Sequence, residues 1–188
     1  MYVKRSSAVV LVALLVSNVS AQEASIVTSK EFSKPESSVQ LFKNESGSFG
    51  VWYDDKKWTP QSTQGDTTFP ELKTMFIQKK PGFEWGIYMS ESQSNIEQLK
   101  EDLLDFFKSV GQNTKIILEE HRVVNGYQVL AVLMTFDLGP NPWEFYGYFL
   151  SRDSETAALW AYYPATKNIL YEGFEEEMQD CFNGFVLL

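Results

Sequence analysis

Val129-Leu130-Ala131-Val132-Leu133-Met134-Thr135-Phe136 reads as a strand with two apolar sides. Leu130, Val132, Met134 and Phe136 alternate against Val129, Ala131, Leu133 and Thr135. Successive side chains of a strand point to opposite faces, so a strand wetted on one side carries a polar row. This stretch has no such row. It therefore calls for one layer above its sheet and another below.

Working outward, Asn125-Gly126 precedes the stretch, a residue pair that tolerates the positive φ of a two-residue hairpin turn. Gly139-Pro140-Asn141-Pro142 makes the next corner and Arg152 to Glu155 a third. None of these turns is long enough for a crossover helix, so Thr114 to Pro164 is predicted as a four-stranded antiparallel meander. Its later strands, Trp143 to Leu150 and Ala158 to Tyr163, repeat the two-sided pattern with rings: Phe145, Tyr146, Tyr148, Phe149, Trp160 and Tyr162.

Helical periodicity supplies the covering layers. Ser94 and Glu97 stand at capping-box spacing, followed by Ile96, Leu99, Leu103, Phe106 and Val110 on one face, widened by Leu104 and Phe107, with Gly111 as the stop. A last helix is predicted from Thr166 to Asn183, with Leu170, Phe174, Met178, Cys181 and Phe185 in step and Gly184 as its end. Upstream, Phe49 to Tyr53 reads as a strand, Asp54 to Pro70 as a long polar loop carrying Trp58, and Leu72 to Gln78 with Trp85 to Met89 as a hairpin about Pro81-Gly82. The expected fold is α+β, a three-layer α/β/α sandwich with a central antiparallel sheet of about six or seven strands and two main helices.

The N-terminal residues read as an export signal. Lys4 and Arg5 lead, Ala8 to Val16 is unbroken apolar, and Val19-Ser20-Ala21 offers small residues for cleavage. That run is too short to span a bilayer, as is every later one, so no transmembrane segment is expected. The predicted organisation is a signal peptide over 1–21, a polar arm over 22–48 with one edge strand near Val39, and a single domain over 49–188. A soluble protein, periplasmic or secreted, follows. Its formal net charge of −9 becomes more negative by two once Lys4 and Arg5 are removed. Such acidity repels phosphate backbones and argues against nucleic acid as a partner. It suits a cationic partner, although solubility alone accounts for it. Cys181 is the single cysteine, so no internal disulfide can form, and a buried apolar filler is the default for it.

Few residues carry a candidate chemistry. His121 is the one histidine, and alternation puts it with Glu119 on one strand face and Glu120 on the other. A Cys181–His121 dyad would need a thiolate on the apolar side of a helix. His121 with Glu119 falls short of the four ligands a structural zinc needs. Asp54-Asp55 and Glu175-Glu176-Glu177 lack the alternating oxygens and glycine turn of a calcium loop. No phosphate loop, Gly-x-Ser-x-Gly elbow or His-Glu-x-x-His helix occurs, and no cofactor is expected. The more suggestive set is aromatic: Trp52, Tyr53, Trp58, Trp85 and Tyr88, with the Asp54 to Pro70 loop beside it. Rings line binding grooves, and they also pack sheets against helices.

Phe49-Gly50-Val51-Trp52-Tyr53 leading to Trp58, the helix after Ser94, Val124-Asn125-Gly126-Tyr127 opening a long hairpin, and Tyr146 to Tyr163 feeding the last helix together resemble the PsbP/DcrB-like superfamily of small exported proteins. The resemblance spans nearly all of Phe49 to Phe185. Where that family often has a Pro before a Gly-Trp pair, this chain has Asp54-Asp55-Lys56-Lys57-Trp58. The resemblance implies an antiparallel sheet between helices and an exported, non-catalytic accessory or binding protein, its partner another protein or envelope component. It carries over no site residue. Two alternatives stand beside it: an inhibitor or immunity protein that meets a basic enzyme, and a hydrolase or metal-dependent enzyme using His121 with Glu119.

Overall fold

A computed structural model describes residues 27–63, 72–80, 86–166 and 170–188. The meander forms as expected: β7 (Gln112–Val124), β8 (Tyr127–Leu138), β9 (Asn141–Arg152) and β10 (Glu155–Pro164) pair antiparallel in sequence order. β6 (Gly86–Ser92), β5 (Leu72–Gln78) and β4 (Trp58–Ser62) continue the sheet beyond β10, and β1 (Val27–Phe32) joins β7 in parallel. The order β1-β7-β8-β9-β10-β6-β5-β4 gives eight strands, more than the six or seven expected. Both additions come from polar sequence. β4 is an edge strand, where Pro60 loses nothing by lacking an N–H, and its Trp58-Thr59-Pro60-Gln61-Ser62 hides among loop residues.

Phe49 to Tyr53 does form a strand, β3, but not in the central sheet. It lies between β2 (Gln40–Lys43) and β11 (Phe185–Leu187) in a separate three-stranded sheet. The segment read as a polar arm thus contributes β1 and β2. The residues read as a signal peptide, those read as the Pro81-Gly82 turn, and Trp85 lie outside the described residues.

α1 (Ile96–Val110) covers one face of the central sheet: Leu99, Leu103, Leu104 and Phe107 pack on Leu130, Val132, Met134, Phe136, Phe145 and Trp160. On the other face, α2 (Phe174–Phe182) and the small sheet pack Phe174, Met178, Phe182, Val51 and Phe185 against Val129, Ala131, Tyr148 and Leu159. Val129 is fully buried, and Leu133 is half-buried at the margin of the same cluster. The two-sided pattern of β8 is therefore met by two layers, and the α+β three-layer sandwich holds. Burying twelve large side chains to under 2% exposure, seven of them Phe, Trp or Tyr from the central sheet, supplies most of the driving force.

The helix boundaries shift for local reasons. Asn95 rather than Ser94 caps α1, its Oδ1 accepting from the Gln98 N–H at 2.9 Å. The Ser94 hydroxyl lies 2.9 Å from that of Ser92, and Glu97 pairs with Lys100 instead of closing a capping box. Gly111 ends the helix in extended backbone, φ −106°, so the glycine is not needed for a left-handed turn. A Cβ there would stand 2.7 Å from the Phe136 ring, and this is what excludes a side chain. α2 starts at Phe174, not Thr166, because Gly173 at φ +90° interrupts helical propagation. Phe185 belongs to β11 rather than to the helix.

Asn125 fastens these parts together. At φ 50° it turns the β7–β8 hairpin, and its Nδ2 donates to the carbonyls of Asn183 at 2.7 Å and Phe185 at 3.0 Å. Its Oδ1 accepts from the Lys34 N–H at 2.9 Å. One side chain thus binds the meander to the end of α2, to β11 and to the chain after β1.

Candidate functional site

The aromatic set is divided by the sheet. Trp58 is 2% exposed within the core beneath the small sheet, and presents no ring outward. Tyr88 lies on the α1 face, stacked on Trp160 at 4.5 Å and Tyr162 at 5.8 Å. Tyr53 meets Phe76 edge-on at 5.7 Å on the opposite face, and Trp52 carries the Lys34 ammonium 4.9 Å above its ring. Trp52 and Tyr53 remain half-buried neighbours on β3. Of the loop expected from Asp54 to Pro70, 58–62 is β4 and 64–70 lies outside the described residues.

Glu119 and His121 share a strand face as alternation required, with Glu120 on the other. In register, Glu119 pairs with Val132 and His121 with Leu130, both on the α1 side. Cys181 is buried on the α2 side, so the sheet itself stands between thiol and imidazole. Burial also pushes the Cys181 thiol well above its ordinary value. No dyad forms. Glu119 is engaged by Lys100, 2.9 Å away, and that lysine also pairs with Glu97. Burial disfavours the Lys100 charge, but its hydrogen bonds to the two carboxylates outweigh it and raise its pKa. Among the described residues no group of three or more His, Cys, Asp and Glu is placed to hold a metal ion. Of the acidic run on α2, Glu177 takes a hydrogen bond from Gln78 at 2.7 Å and lies 3.8 Å from Lys57.

Two polar clusters were not foreseen. Beneath α2, Arg122 donates to the hydroxyls of Tyr146 at 2.7 Å and Tyr148 at 3.1 Å and to the Glu120 carboxylate. Gln179 of α2 donates to Tyr148 at 2.8 Å, closing the network between sheet and helix. Burial, then the neighbouring Tyr148, drive the Tyr146 pKa upward, so its phenol stays neutral. Directly above lies a cavity of about 370 Å³ walled by Leu133, Glu144, Tyr146, Tyr163, Glu175, Met178 and Gln179. Burial and then Glu144, which accepts its hydroxyl, hold the Tyr163 proton on. Glu144 and Glu175 line one cavity only because α2 docks across β9, so neither carries a signal in the sequence.

The second cluster joins the two sheets. Asn44 donates to the Glu91 carboxylate at 3.0 Å and accepts from the Phe49 N–H at 3.0 Å, beside a cavity of about 300 Å³ that Lys43 and Lys73 also line. Burial raises the Glu91 pKa, and the Asn44 hydrogen bond and Lys73 only partly offset it. A carboxyl that holds its proton more tightly folded than unfolded stabilises the fold below the ordinary carboxylate range; that contribution is lost as pH rises through the folded value. Glu91→Gln is therefore expected to be more stable than wild type at pH 7, the gap closing toward pH 4. Urea midpoints at pH 4, 5.5 and 7 measure it, and a gap that widens on acidification contradicts the assignment.

Compared with solved structures, the chain is similar in fold to cyanobacterial PsbP (CyanoP) from Synechocystis sp. PCC 6803. The TM-score is 0.57 at 9% identity, over 82% of this chain and 95% of that one. A crystal structure from Bacteroides thetaiotaomicron VPI-5482 aligns at TM-score 0.48 and 11% identity, over 79% and 48%. A protein of unknown function, PA94 from Pseudomonas aeruginosa, aligns at 0.42 and 9%, over 75% and 93%. No protein-family model matches the chain, and no curated protein matches it. The fold-level resemblance to PsbP-like proteins read from the sequence is thus met by the structure, at an identity that speaks to fold alone.

Proposed function

We propose that this chain is an exported, non-catalytic accessory or binding protein of the cell envelope, acting in the periplasm or outside the cell. The observation that carries the reading is how its polar side chains are spent. Lys100 with Glu97 and Glu119 ties α1 to β7; Arg122 with Glu120, Tyr146, Tyr148 and Gln179 ties the sheet to α2; Asn44 with Glu91 ties sheet to sheet. These are structural cross-links, satisfied in place, rather than a nucleophile and base converging on a cavity. The export signal read over 1–21 and the likeness in fold to CyanoP support the same reading.

Among the described residues no helix is long and apolar enough to cross a membrane, so contact with the envelope is proposed to run through a protein partner. The test pairs two measurements. Chemical crosslinking of the mature chain in an extracytoplasmic extract is expected to capture a defined partner in stoichiometric amount. His121→Ala, folded by circular dichroism, is expected to leave the cellular phenotype of the gene unchanged. Loss of that phenotype with the fold intact returns the enzyme alternative built on His121 and Glu119.

A further inference from the structure

The cavity between α2 and the β8–β10 surface combines features that a packing defect does not explain. Its floor is apolar, Leu133 and Met178, and its walls are the Tyr146 and Tyr163 rings. Glu144 from β9 and Glu175 from α2 line it from two separate elements. No lysine, arginine or histidine is among its described lining residues. An acidic residue in a helix's first turn favours the helix dipole, which accounts for Glu175 taken alone. It does not account for Glu144, which sits on a strand and, while accepting a hydrogen bond from the Tyr163 hydroxyl, has no cation beside it among the described lining residues. Tyr146 is fixed from behind by Arg122, so its ring is set before anything enters.

Resting on the binding-protein reading, we propose that this groove receives a basic peptide segment of a partner protein, with one lysine or arginine between Glu144 and Glu175 and an apolar neighbour on Leu133 and Met178. Charge complementarity selects this occupant: two carboxylates with no counter-cation among the groove's described lining residues, on a chain of net charge −9. A volume of about 370 Å³ accommodates one long side chain and part of the next, at the lower end of the range for ligand pockets.

A random peptide display library panned on the mature protein tests this. Enriched peptides are expected to carry Lys or Arg beside an apolar residue. A synthetic peptide of the enriched sequence is expected to bind wild type and the charge-matched control Glu36→Gln/Glu101→Gln equally by fluorescence anisotropy. On Glu144→Gln/Glu175→Gln, whose thermal unfolding is checked in parallel, its affinity should fall at least about tenfold, a loss of roughly 1.4 kcal/mol. No enrichment, enrichment of peptides without a cation, or equal binding to the groove variant each overturns the proposal. Should crosslinking still capture the partner with Glu144→Gln/Glu175→Gln, the groove is excluded while the binding-protein reading stands.

Discussion

Gly184→Ala is expected to lower stability by about 3 kcal/mol or more, at the top of the range for forcing extra atoms into a packed site. A Cβ on Gly184 would lie 1.9 Å from the Trp52 carbonyl oxygen and 2.9 Å from its carbon. Both are backbone atoms of the small sheet's central strand, so no rotamer change relieves the clash. The same two residues are joined by the Trp52 N–H donating to the Gly184 carbonyl at 2.8 Å, so separating them costs a hydrogen bond as well. The consequence spreads, because Gly184 is the hinge by which the chain leaves α2 and enters β11. In a chain of this length the melting temperature should drop by roughly 6–12 °C in differential scanning calorimetry. Gly47→Ala is the control: its site is open, although φ is +72°, and roughly 1 kcal/mol from left-handed strain is expected there. Equal losses for the two variants would show that the β3–β11 approach does not constrain the fold.

This contact also marks where sequence stops informing structure. The two-sided strand from Val129 to Phe136 was legible because burial on both faces erases the polar row, a constraint written in every residue of the stretch. The meander turns and α1 were legible for similarly local reasons, at Asn125-Gly126 and at the three-and-four spacing from Ile96 to Val110. What escaped was set by distant partners. Trp58-Thr59-Pro60-Gln61-Ser62 becomes an edge strand through its pairing with β5, and nothing in its composition says so. Phe49 to Tyr53 has the pattern of any strand, and its place in a second sheet depends on β11 arriving from the other end of the chain. The candidate groove has the same origin. Glu144 stands beside a proline corner and Glu175 within an acidic run, and neither position by itself marks a site. The aromatic set is parted for the same reason: the pairing of distant strands puts Tyr53 and Tyr88 on opposite faces of the central sheet.

Arg122→Met is expected to cost about 3–5 kcal/mol, the loss typical when one partner of a buried ion pair is removed and the other charge stays behind. The side chains of Arg122 and Glu120 are 14% and 17% exposed, so water reaches neither freely. The guanidinium also serves Tyr146 and Tyr148 and lies 5.2 Å from the centre of the Phe32 ring, which ties β1 to the edge of the sheet. A methionine of similar volume keeps the packing but leaves the Glu120 carboxylate uncompensated and two phenols short of a donor. The penalty is therefore electrostatic, and a second substitution separates it from lost volume. Arg122→Met/Glu120→Gln should recover a substantial part of the stability lost by Arg122→Met alone, because the stranded charge is gone. Denaturant unfolding of the two singles and the double closes the cycle. Simple additivity would mean that Glu120 reaches solvent in the variant, and that the network beneath α2 is held by its tyrosines and Gln179 rather than by the ion pair. The groove above it would respond in step: with Arg122 gone, Tyr146 loses the donor that sets its ring, and peptide affinity should fall even though no residue lining the groove has changed.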